Sequence, residues 1–105
     1  MASLIRLLRF ARTQRALDVA MLYEAGGVLD EAIRAIAGLA DYMRSQVAVL
    51  PDHYFLRSDD RRPVEDHWDN AHYHLEALVT ALGSASNRAR LYHGEVSHIG
   101  VEGTK

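Results

Sequence analysis

The chain has 105 residues, 49% apolar and 25% charged, with no cysteine and a formal net charge of −2. That size and composition predict one soluble domain whose core needs no metal or disulfide, and the missing thiols exclude thiolate centres and a cysteine nucleophile. The charge is uneven: Arg6, Arg9, Arg12 and Arg15 share the first 17 residues with no acid, while the remainder carries 8 basic and 14 acidic residues, which excludes a uniformly basic nucleic-acid surface.

No apolar run is long enough for a membrane span. Arginines interrupt every apolar stretch of "MASLIRLLRFARTQR", so it does not read as a secretory signal. It reads as the first helix of the domain. Its amphipathic, arginine-rich and acid-free character is shared by organellar transit peptides. The expected compartment is the cytoplasm.

The spacing predicts helix over about 3–24. Leu4, Leu7, Leu8 and Ala11 share a face, and Ala16, Val19, Ala20 and Tyr23 resume one after a shift at Arg12–Arg15, so one bent helix or two are expected. Gly26-Gly27 is expected to end this segment, because glycine tolerates a left-handed C-cap. The arginines at every third position form a slanting stripe fit for phosphates, an anionic membrane surface or the acids of another helix.

A second helix is predicted over about 28–50. Val28, Leu29, Ala32, Ile33, Ile36, Leu39, Ala40, Met43, Val47 and Leu50 form a wide apolar stripe. Asp30, Arg34, Asp41 and Ser45 mark the opposite side, with Asp30 and Arg34 at pairing distance. Pro51 stops or bends this helix. In the connection "PDHYFLR" (51–57), Phe55 and Leu56 are expected to cap the core while Asp52 and Arg57 stay wet; the neighbouring Asp52 and His53 lack any nucleophile motif.

A third helix is predicted over about 63–82. Pro63 suits its first position, and Glu65 and Asp66 complement the positive end of the helix dipole. Val64, Trp68, Ala71, Leu75, Leu78 and Leu82 alternate steps of four and three, a seam for helix packing. Gly83 is expected to end it, followed by a short helical piece near 85–93. Residues 95–101 are at most an edge strand.

"HWDNAHYH" (67–74) concentrates half of the six histidines. On a helix His67 and His74 share one flank about 10 Å apart along the axis, and His72 takes the other. One zinc ion is therefore out of reach of all three rings. On the second flank, Glu65, Asp69, His72 and Glu76 align at steps of four, three and four. Asp69-x-x-His72 has the spacing of half a carboxylate-bridged metal site; as a metal site it would use Asp69, His72 and Glu76. The solvated-flank reading is preferred, and no cofactor is expected.

"NRARLYHGE" (87–95) contains Arg88-x-x-x-x-His93 and resembles the signature of the HEPN class, small helical bundles that include RNA-cleaving toxins. The resemblance implies Arg88 stabilising a developing phosphorane charge and His93 moving a proton, usually across a dimer interface. The same spacing recurs at Arg62 and His67.

The expected fold is all-α: a three- or four-helix up-down bundle over residues 1–93 with a flexible C-terminal tail over 94–105. The expected function is non-enzymatic, a small helical interaction module that self-associates or docks on a protein partner through an apolar helix face. The alternatives are a HEPN-like RNA-cleaving or nucleic-acid-binding bundle using Arg88 and His93, and a metal-binding bundle using Asp69, His72 and Glu76.

Overall fold

A computed structural model of the chain describes residues 2–12, 17–103 and 105. Arg15 and Ala16, which the sequence places on the first helical segment, lie outside the described residues. The fold is all-helical, with no strand among the described residues. The elements in chain order are α1 (Ala2–Arg12), α2 (Val19–Ala48), α3 (Leu50–His53) and α4 (Val64–Val96).

The predicted first segment is two helices. Asp18 starts α2 as its N-cap, its carboxylate accepting the Met21 N–H at 2.8 Å and so satisfying one of the unpaired donors of the first turn. Neither glycine break holds. α2 runs through Gly26-Gly27 and α4 runs through Gly83 to Val96, so the end of the first expected segment joins the second in α2 (30 residues), and the short piece expected after Gly83 joins the third in α4 (33 residues). A glycine C-cap needs positive φ, and no described glycine has it. A helical glycine costs about 1 kcal/mol relative to alanine, a cost that tertiary packing overrides.

The chain forms two compact units, Met1–Arg34 with Ser84–Lys105, and Ala35–Gly83. In the first, the beginning of α2 and the end of α4 pack antiparallel: Asp30 meets Ser86, and Leu22 meets Tyr92. The facing positions are Gly26, Asp30 and Ile33 on α2 against Ser86, Ala89, His93 and Val96 on α4, all buried or half-buried and spaced by threes and fours. Asp30, predicted for the wet side, lies inside: its side chain is only 14% exposed and accepts from Arg34 Nη2 at 2.6 Å and Ser86 Oγ at 3.0 Å. α4 closes with i+3 bonds from His98 and Ile99 to Glu95 and Val96, a tightened last turn.

In the second unit, Ala37, Ala40, Arg44 and Val47 of α2 line the packed side. α4 presents Trp68, His72, Leu75, Val79 and Leu82 as its least exposed stripe. The predicted seam is therefore rotated by about 40°: Ala71 and Leu78 are exposed, and His72 and Val79 take their places. The Trp68 indole N–H sets this rotation by donating to the Val47 carbonyl at 2.7 Å. That carbonyl is in the last turn of α2, where no intrahelical donor exists. Pro51 sits at the start of the single-turn α3, and Pro63 precedes α4, whose first turn carries Glu65 and Asp66.

Candidate interaction surface

Within the second unit, α2 has two contrasting flanks. Gly38, Asp41 and Ser45 lie on one. Ile36, Leu39 and Met43 lie on the other, about a quarter turn from Ala37, Ala40 and Val47. All three large apolar residues are exposed, Leu39 at 59%. Helix geometry in an antiparallel pair turns the exposed Leu78 of α4 to the same side, next to the half-buried Leu75 and Leu82. The side facing α4 thus uses Ala37, Ala40, Arg44 and Val47, while Ile36, Leu39 and Met43 point outward. Among the described residues, only Ala32, Ala40, Ala89 and Val96 count as buried apolar residues, and no large side chain is fully buried.

The α3 connection adds a second apolar feature. Pro51, Tyr54, Phe55, Leu56, Val64, Glu65 and Trp68 line an open cavity of about 190 Å³. The expectation that Phe55 caps the core fails: Leu56 is half-buried, but the Phe55 ring stands fully in solvent. The chain is extended after His53, with Tyr54 at φ −138° and ψ 148°, so successive side chains alternate in direction.

The histidines of "HWDNAHYH" lie on continuous helix and meet separate partners. His67 Nε2 is 2.9 and 2.8 Å from the two Asp60 carboxylate oxygens. Its bond, with those from the Ser58 hydroxyl and the Arg62 N–H, holds the Asp60 carboxyl well below the usual carboxylate range. His72 stacks on Trp68, with ring centroids 6.0 Å apart, and its Nδ1 is 3.4 Å from Glu76 Oε1. His74 meets Tyr73 edge to face. Asp69 is exposed. Among the described residues, no three His, Asp or Glu side chains gather as a group able to hold a metal ion. Arg44 donates to Asp41 from Nε and Nη2 at 3.1 and 2.6 Å. That bond and charge, with a smaller field from Glu76, raise the guanidinium pKa further.

Arg88 and His93 diverge by about 140° on α4. Arg88 is exposed, whereas His93 is half-buried and stacks on Tyr23 with centroids 4.1 Å apart. The single chain does not bring the two together. Nor does it join Asp69 to His72 and Glu76.

Compared with protein-family models, curated proteins and solved structures, the chain matches none.

Sequence reasoning missed the inward polar pair Asp30–Ser86 and the tie from Asp60 to His67. The first was readable: Gly26, Asp30, Ile33, Ala37 and Ala40 already follow the step of four and three. Counting only apolar residues as inward hid it. Asp60 had no such signal, because a loop residue seven positions away reaches His67 only through the turn at 58–62.

Proposed function

We propose that this chain is a small helical interaction module that self-associates through the apolar flank formed by Ile36, Leu39, Met43 and Leu78. The observation that carries the reading is the lack of any fully buried large side chain among the described residues, while these four stand exposed. A domain of this size is expected to bury roughly two-thirds of its unfolded surface around a core of large apolar groups. Here the interior is mainly alanine, and the large groups are left for another surface.

A second copy fits this flank better than an unrelated partner. A two-fold axis sets the same patch against itself, and two antiparallel helix pairs side by side make a four-helix arrangement. Ile36 and Met43 stand one heptad apart on α2, both exposed, a spacing that suits side-by-side helices.

Sedimentation equilibrium tests the reading. The chain should run at about twice its 11.8 kDa mass, and Leu39→Glu with Leu78→Glu should return it to a helical monomer. A wild-type monomer, or a dimer indifferent to both charges, would sink the proposal.

A further inference from the structure

α1 has a second, unused face. Leu4 and Leu7 are half-buried, and Leu7 lies beside Met21 and Val28 of α2. The opposite side carries Ile5 and Leu8, each about half exposed, together with exposed Arg9 and Arg12, while Arg6 lines the cavity toward α2 with Met21 and Glu24. At 100° per residue Arg9 and Arg12 fall about 40° and 20° to either side of Ile5. The helix contains no acidic residue. Among the described residues, neither Arg9 nor Arg12 forms an ion pair.

We propose that α1 docks on an anionic membrane surface, with Ile5 and Leu8 entering the headgroup region and Arg9 and Arg12 among the lipid phosphates. Two features select this partner. An acid-free cationic face complements anionic lipid, and branched aliphatic side chains interleaved with the arginines suit the boundary between headgroups and acyl chains. A nucleic acid would take the arginines through its phosphates and leave Ile5 and Leu8 in water. No described helix is long and apolar enough to cross a membrane, and α1, with 11 residues, is about 16 Å long. It therefore lies in the surface plane.

The full chain is sedimented with phosphatidylcholine vesicles and with vesicles containing roughly one-third phosphatidylglycerol, the latter repeated at increasing salt. Binding should occur only with the anionic vesicles and fall as salt rises. Changing Arg9 and Arg12 to Gln should weaken it roughly thirtyfold, and Ile5→Ser with Leu8→Ser at least about tenfold. Circular dichroism checks that each variant keeps its helicity. Absence of binding, equal binding to both vesicles, or insensitivity of the wild type to salt overturns the proposal without any variant. So does full affinity in the serine variant, or arginine-dependent binding to single-stranded RNA without vesicle binding.

Discussion

The His93 imidazole lies on the Tyr23 ring at 4.1 Å between centroids, with the planes 26° apart. The stack depends on the absence of a side chain one turn further along α2. A Cβ at Gly26 would sit 2.9 Å from Tyr92 Cε1 and 3.1 Å from His93 Cδ2. Tyr92 is also held there, its hydroxyl donating to the Leu22 carbonyl at 3.2 Å.

The five helical glycines should therefore not respond alike. Gly26→Ala gains about 1 kcal/mol of helix propensity but loses about 1–3 kcal/mol to overpacking and about 1 kcal/mol if Tyr92 swings away from Leu22. The expected net effect is a destabilisation of about 1 kcal/mol. Gly38 and Gly83 face open space, so alanine at either should stabilise by up to about 1 kcal/mol. Chemical denaturation of the single variants reads the opposite signs.

Asp30 and Ser86 should couple. Ser86→Ala leaves the mostly enclosed Asp30 carboxylate with Arg34 alone and should cost about 1 kcal/mol. Asp30→Ala removes the acceptor of both. In a double-mutant cycle the two losses should fall short of additivity by about 1 kcal/mol; strict additivity would show that the 3.0 Å contact contributes nothing.

Trp68 is the only tryptophan, so its fluorescence reports on the second unit directly. Trp68→Phe removes the donor to Val47 and leaves a helix-terminal carbonyl without its partner. About 1–2 kcal/mol of stability should be lost. The contact also predicts that wild-type indole emission shifts to the red on unfolding.

Asp60 gives a pH signature. Its folded pKa is depressed, chiefly by the His67 hydrogen bond, then by Ser58 and the Arg62 N–H. Its contribution is therefore complete above the ordinary aspartate pKa of about 4 and is lost as pH falls through the lower folded value. Carboxyl-carbon NMR should find Asp60 still ionised well below the ordinary aspartate pKa of about 4. His67→Ala should move Asp60 back toward the ordinary range, while an unchanged titration would show that the histidine bond is immaterial.

Helical class was legible because apolar residues recur at threes and fours through both long segments, and no stretch alternates strictly enough for a buried strand. Pro63, Glu65 and Asp66 mark the start of α4 by local chemistry, and Asp30–Arg34 follows from the pitch of one helix. These features depend only on near neighbours, which a sequence contains.

The continuity of α2 and α4 is of another kind. Glycine at 26 or 83 is locally compatible with a stop or with more helix, and the ring packing of Tyr92 and His93 on Gly26 belongs to the helix solution. The inward turn of His72 in place of Ala71 was likewise decided by a bond from Trp68 to Val47, twenty-one positions away. Pitch and pattern place side chains around an axis to within tens of degrees. Only contact with a second helix sets the last rotation, and that rotation leaves Ala37 and Ala40 inside and Ile36, Leu39 and Met43 facing out.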